Sequence, residues 1–329
     1  MTSSSPTGAS AFDHPDGPSP ARRRDLTWLV AVAAALWGTD ALLRSSLAEQ
    51  VSASTIVFGE HVVLTVALLP FLPRAGRAFR SLDARGRAAV VGIGVGASAV
   101  ATTLFTLAFR YGDPVTPAVI QKFQPLVVLV GAAVLLGERL RPSFLWFAPP
   151  ALVGAWMLAF PDPLDVGVDR AVVALLALGA AVLWAAGTVL GRFVAPSVTP
   201  IELTTLRFAI GLPAAFVLVL ATGSDLWVPT VSDTFAVIGI ALVPGLLAMW
   251  LYYRGLRRTA ASRATLAELA YPFTAALVGV TVLGSQLSAT QWVGAVLVVA
   301  AVTALSWHEA TARRPAVVAT RPVADRTNH

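Results

Sequence analysis

Ala33-Ala34-Ala35-Leu36-Trp37 returns as Ala180-Ala181-Val182-Leu183-Trp184, 147 residues further along the chain. The same ungapped offset carries Gly92 onto Gly239, Phe105 onto Tyr252, Pro125 onto Pro272, Gly137 onto Gly284 and Leu140 onto Leu287. Alanine and leucine coincide by chance in any apolar chain. Trp, Pro and Gly landmarks holding one offset along most of a repeat do not, so the sequence reads as two copies of one unit.

Composition says what kind of unit it is. The chain has 329 residues, 56% apolar and 13% charged, with no cysteine. A soluble domain carries about 25% charged and about 45–50% apolar residues. This excludes a water-soluble globule and a disordered chain. The net charge of +6 is not gathered on any soluble stretch, which excludes a nucleic-acid binder. Without cysteine there is no disulfide framework, thiolate metal site or thiol chemistry.

Ten apolar stretches approach the roughly 20 residues that span a bilayer. They lie at about 26–47, 52–72, 88–109, 115–136, 143–160, 170–191, 201–221, 234–254, 260–283 and 289–307. Arg22-Arg23-Arg24 precedes the first like the n-region of a signal peptide. The run that follows is longer than an h-region of about 7–15 residues, so it is read as a retained helix. The segments through Ala21 and from about Ala310 are polar, Pro- and Arg-rich and aperiodic, and read as disordered tails. The expected organisation is an N-tail (1–25), a first repeat (26–160), a second repeat (170–307) and a C-tail (308–329).

Five spans is an odd number, so two copies of the unit enter the bilayer in opposite orientations. The expected fold is an all-α integral membrane protein of ten transmembrane helices in two inverted-topology five-helix repeats, an architecture of secondary transporters. With the N-terminus in the cytoplasm, Arg44, Arg110 and Arg170 fall outside, and every other arginine beyond the spans falls inside. That bias predicts two cytoplasmic termini; the expected location is a plasma membrane, multi-pass and bacterial. No G-x-x-x-x-G-K-[ST] loop marks an ATP motor.

The chain resembles the EamA type of the drug/metabolite transporter superfamily. The resemblance is carried by Leu36-Trp37-Gly38, by Gly137-Glu138-Arg139-Leu140 closing the fourth span, by Leu206-Arg207-Phe208 in the seventh, and by proline in the fourth and ninth. It covers roughly 26–307. It implies ten helices with inward termini and gradient-driven movement of small metabolites, often amino-acid export. The chain departs from the pattern with Glu60-His61 where the first repeat usually has an Arg-aromatic pair, and with Gly284-Ser285-Gln286-Leu287, which lacks the acid.

Ionisable groups at mid-membrane cost about 2.5–3.5 kcal/mol on insertion scales and face the bundle interior. The candidates are Asp40, Glu60, His61, Arg207, Glu268 and Lys122, the only lysine. Counted along their helices at 1.5 Å per residue, Glu60 and Lys122 lie roughly 10–12 Å below the outer surface. The offset takes Glu60 to Arg207 and Gln121 to Glu268, which puts those two at matching depth from the inner face. Glu60–Lys122 and Arg207–Glu268 are therefore candidate cargo contacts or, equally, structural ion pairs. Asp40 has a local partner in Arg44, four residues on. Gln121, Gln124 and Pro125 share one helix face, as do Glu268, Tyr271 and Pro272. Each proline withdraws an N–H from the carbonyl four residues earlier, making Pro125 and Pro272 candidate hinges. Trp37 and Trp184 complete the candidate binding set as aromatic walls or packing residues. Gly92-x-x-x-Gly96 marks close helix packing.

The expected function is export of a small polar metabolite, an amino acid or related zwitterion, by alternating access, with protons as a candidate coupling ion. Proton-coupled efflux of lipophilic cations on Asp40 or Glu60 is the alternative, and a membrane enzyme or scaffold the remote one. No catalytic residue, cofactor or metal is expected, and the particle is a monomer or homodimer. In this cysteine-free chain, a cysteine at Ser5 is expected to resist an impermeant maleimide in intact cells while one at Ser52 reacts. Equal labelling of the two contradicts the topology.

Overall fold

The computed structural model describes residues 26–112, 115–124, 144–159, 168–256 and 270–312, with 126–127, 130–131, 134, 162 and 267 between them. Every regular element among the described residues is helical. In the first repeat these are α1 (Thr27–Gly38), α2 (Asp40–Gln50), α3 (Ala53–Leu68), α4 (Leu72–Ser81), α5 (Ala84–Gly92), α6 (Ala101–Tyr111), α7 (Val115–Ile120) and α8 (Phe144–Ala159). In the second they are α9 (Val168–Val194), α10 (Pro200–Ala221), α11 (Val231–Ile240), α12 (Ala248–Leu256), α13 (Ala270–Thr281) and α14 (Ala289–Ala312). Among the described residues five helical stretches are long and apolar enough to cross a membrane: Ala53–Ser81, Ala84–Tyr111, Arg170–Gly191, Pro200–Ala221 and Val231–Tyr252. Large apolar side chains such as Leu69, Trp146, Leu152, Leu175, Val217, Phe235 and Phe273 point outward. In water that surface would be an aggregation hazard; lipid is its matching solvent.

Local chemistry sets the boundaries. Ser52 caps α3 by accepting from Thr55 N at 3.2 Å, and Asp83 caps α5 by accepting from Gly86 N at 2.8 Å, each satisfying an amide that the helix leaves orphaned. At the start of α10 the Thr199 N–H and hydroxyl both donate to Glu202 Oε2, at 2.9 and 2.6 Å. The first apolar run, expected as one helix, is interrupted at Thr39. The Thr39 amide is shared between Ala35 O and Leu36 O, and its hydroxyl donates to Leu36 O at 2.7 Å. The fifth run does form a helix through Pro149 and Pro150.

The offset of 147 residues reappears in the packing. α1 lies against α12 and α13, and its counterpart α9 lies against α6 and α7. α3 packs on α10, and α8 on α14, each against its own counterpart. Both third-span equivalents change winding at matching places: Ile93–Val100 joins α5 to α6 as π-helix, and Ala241–Leu247 joins α11 to α12 in the same way. Pro244, the counterpart of Ala97, lacks the N–H that a regular turn would use, and a wider turn accommodates that loss. The Gly92-x-x-x-Gly96 face is turned inward: a Cβ at Gly92 would lie 3.3 Å from Leu190, and one at Gly96 3.8 Å from Leu183.

Close approach is enforced at a few glycines. A Cβ on Gly154 of α8 would lie 2.8 Å from Gly294 O and 2.9 Å from Val298 N of α14, both backbone atoms with no rotamer to give. Gly76, on α4, has nothing within 4 Å. Gly154→Ala is expected to destabilise the protein by about 1–3 kcal/mol through overpacking. Gly76→Ala is expected to be neutral or stabilising by up to about 1 kcal/mol. Thermal unfolding of the two variants in detergent checks the contrast, and equal melting temperatures contradict the packing.

Candidate functional site

The polar centre of the first repeat is built on three elements. Asp40 and Arg44 stand one turn apart on α2. Arg44 Nε lies 2.5 Å from Asp40 Oδ2, and Nη2 lies 3.0 Å from Oδ1, a bidentate clasp. Arg44 Nη1 donates to Thr106 Oγ1 of α6 at 2.6 Å and lies 2.7 Å from Glu60 Oε1 of α3. That Glu60 oxygen has no aligned hydrogen bond. Nη1 is aligned on the threonine, and charge attraction holds Glu60 beside it. Side-chain exposure is 5% for Arg44, 9% for Glu60 and 14% for Asp40. Two carboxylates thus share one guanidinium, and the outer carboxylate, Asp40, is the more accessible.

Glu60, for which Lys122 is a candidate partner in the sequence, lies beside Arg44. The side chain of Lys122, on the 3-10 turn Gln121–Phe123 that follows α7, lies outside the described residues. So do Glu268, Pro125 and the Gly137–Leu140 motif, and the side chain of Pro272. The Arg207–Glu268 pairing therefore has one described member, and Arg207 Nη2 donates to Ala97 O in the π segment at 2.9 Å. His61 is fully enclosed: its Nδ1 meets Val57 O at 2.7 Å and its Nε2 meets Ser98 Oγ at 2.9 Å. Since Val57 O accepts only, Nδ1 carries the proton and Nε2 accepts from Ser98. His61 and Arg207, taken from the sequence as cargo contacts, both brace the first π segment.

Aromatic and amide groups occupy the other walls. Trp37 of α1 packs on Tyr252 of α12 with ring centroids 5.0 Å apart, and Trp184 of α9 packs on Phe105 of α6 at 5.1 Å. Trp37 and Trp184 are counterparts under the offset, as are Phe105 and Tyr252, so one aromatic pairing occurs twice. Tyr271 OH donates to Gln121 Oε1 at 2.5 Å, joining α13 to the 3-10 turn. Gln124 Nε2 donates to Thr188 Oγ1 at 3.3 Å. The carbonyl of Gln121, expected to be freed by the proline at 125, accepts from the Gln124 amide through the 3-10 turn. The loss is absorbed by tighter winding. Gly38 lets α1 approach α13 beside this group: a Cβ there would lie 2.7 Å from Tyr271 O and Thr274 Cβ.

Sequence reading had no handle on Thr106 or Ser98. A lone hydroxyl in an apolar helix carries no pattern, and each gains meaning only from the Arg44 or His61 brought to it by packing. Among the described residues no three His, Asp or Glu side chains gather as a metal site.

Breaking a buried ion pair by removing one partner costs about 3–5 kcal/mol, because the other charge is left uncompensated. Arg44→Met strands two carboxylates, whereas Glu60→Gln leaves the Asp40 clasp intact. Arg44→Met is therefore expected to lower the melting temperature much further than Glu60→Gln. The reverse order contradicts the shared-guanidinium arrangement.

Comparison with known proteins agrees with this architecture. The EamA-like transporter family matches residues 26–160 and again 171–307. The riboflavin transporter ImpX of Fusobacterium nucleatum is 28% identical, over 84% of this chain and 96% of its own. YwfM, an uncharacterised transporter of Bacillus subtilis, is 30% identical over 55% of this chain and 63% of its own. A solved crystal structure with 21% identity shares the fold at a TM-score of 0.59, covering 88% of this chain and 99% of its own. Two copies of the family's unit fill nearly all of the chain between its ends, and the chain belongs to the EamA-like transporter family.

Proposed function

We propose that the protein is a secondary active transporter that moves a small polar metabolite by alternating access. Ten membrane spans form two five-helix halves of opposite orientation, with both termini in the cytoplasm, and the cargo site lies between the halves near the midplane. The observation that carries this reading is the doubled aromatic pairing, Trp37–Tyr252 and Trp184–Phe105, at 5.0 and 5.1 Å. Two near-equivalent interfaces between pseudo-symmetric halves let one open as the other closes at little net cost. The two π segments and Pro125 and Pro272 are the points at which the helices flex.

The cargo class follows from the chemistry of the walls. Arg44 is clasped by Asp40 and Glu60 in a buried charge cluster, so it is a poor receptor for a substrate carboxylate. The aromatic pairs Trp37–Tyr252 and Trp184–Phe105, with the neutral Tyr271–Gln121 and Gln124–Thr188 hydrogen bonds that a cargo would exchange for its own, favour a planar polar ring held by stacking and neutral hydrogen bonds. The likeness to a riboflavin transporter supports the same class. Asp40, the more accessible carboxylate of the triad, and Glu60 supply the charge that a co-transported or exchanged proton would neutralise.

A second reading keeps the fold and makes the cargo an amino acid or other zwitterion. Its support is the triad's composition: two carboxylates to one guanidinium leave a negative surplus suited to an ammonium group. The same surplus suits a lipophilic cation, exported in exchange for protons.

Counterflow in proteoliposomes separates these readings. The ring reading expects saturable riboflavin exchange that survives Lys122→Met and falls about tenfold in Gln121→Leu, the scale of one lost hydrogen bond. Leucine exchange abolished by Lys122→Met supports the zwitterion instead. Ethidium efflux lost in Asp40→Asn but kept in Lys122→Met supports the cation. If none of the three probes moves, all three readings fail.

A further inference from the structure

One open cavity of about 720 Å³ lies at the end of the bundle where α2 stops, α3 starts and α6 stops. Its walls include Gln50, Thr55, Arg110, Asp225 and Trp227. This is the end remote from the exposed arginines Arg77, Arg80, Arg85 and Arg87.

Three features mark the cavity as a built site. First, it stands over the triad on the same elements. Gln50 is six residues beyond Arg44 on α2, Thr55 five before Glu60 on α3, and Arg110 four beyond Thr106 on α6. At 1.5 Å per residue the triad lies about 6–9 Å deeper along all three walls.

Second, its rim is fixed. Ser54 Oγ bonds Thr222 Oγ1 at 2.9 Å and Ser224 Oγ at 3.2 Å, and the Thr55 hydroxyl donates to Asp225 O. These bonds tie the loop after α10 to the start of α3. Third, Trp227 is 73% exposed yet is met edge-on by Phe58, with centroids 6.4 Å apart. The indole is positioned while much of its surface stays open. Arg110 and Asp225 add opposite charges beside it.

We propose that this cavity is a second binding site, an antechamber in which a ring-bearing polar metabolite stacks on Trp227 before it reaches the central site or after it leaves. Arg110 and Asp225 orient the polar substituents of the ring. The inference rests on the transport reading above and on its ring-bearing cargo, and it adds a site that the central residues do not form.

The absence of native cysteine makes the test direct. Ser224→Cys introduces one thiol into the cavity wall, and riboflavin is the probe. Riboflavin is expected to slow maleimide labelling of that thiol severalfold in proteoliposomes. Adding Trp227→Leu is expected to abolish the protection. A further variant, Gln121→Leu, is expected to reduce riboflavin counterflow while leaving the protection in place. Labelling rates that are the same with and without riboflavin, in vesicles that do transport it, overturn the antechamber and leave the central reading standing. Protection that persists without Trp227 also overturns the proposal. Absence of both protection and transport overturns the antechamber together with the ring-bearing cargo. If the double variant labels at an altered rate even without riboflavin, the Trp227→Phe variant, which keeps a ring, must restore protection for the site to stand.

Discussion

A guanidinium buried among three helices cannot be left to itself, and Arg44 is the point on which the first half is organised. It donates to Asp40 on its own helix and to Thr106 of α6, and it lies 2.7 Å from Glu60 of α3. A charge inside an apolar bundle costs several kcal/mol unless paired and hydrogen-bonded, so α2, α3 and α6 are held in one mutual arrangement. The counterparts of Asp40, Arg44 and Glu60 in the second half are Gly187, Gly191 and Arg207. The halves share a backbone plan and divide the chemistry unequally.

That inequality makes a near-symmetric scaffold chemically asymmetric. The aromatic pairs are duplicated, and the π segments fall at matching positions, so helices meet similar neighbours in both halves. Charge is not duplicated. Where the first half places Glu60 under Arg44, the second places Arg207 against the carbonyl of Ala97. The two ends of the bundle differ as well. Hydroxyls join Ser54 to Thr222 and Ser224 at one, and an ion pair of Arg74 Nε with Glu202 Oε1, at 2.8 Å, joins α4 to α10 at the other. Thr55 and Glu202 are counterparts under the offset, so one position serves both ties with different chemistry.

Small residues let these contacts form. Without water between helices there is no hydrophobic drive to association, and close backbone approach supplies dispersion and weak polar contacts instead. Gly38 against α13, Gly94 against Ile210 of α10 and Gly154 against α14 are all places where a single methyl would collide with a neighbour. The helices are thus packed on their least bulky faces, and the large apolar side chains are left for the lipid.

The sequence by itself determined the membrane class, the two-unit organisation and its offset, because hydropathy and repeat landmarks are properties of the linear chain. It also held the local Asp40–Arg44 clasp, since residues four apart share a helix face. It pointed to Trp37, Trp184, Phe105 and Tyr252 as matched positions without revealing that Trp37 pairs with Tyr252 and Trp184 with Phe105. Tertiary structure decided partnership across helices. Rotation of each helix about its axis decides which residues meet, and apolar periodicity is too even here to fix that rotation. So Glu60 went to Arg44, His61 and Arg207 went to the π segment, and Thr106 and Ser98 acquired roles. The winding changes at 93–100 and 241–247 were likewise settled by packing, since a π turn needs neighbours to satisfy the carbonyls it frees.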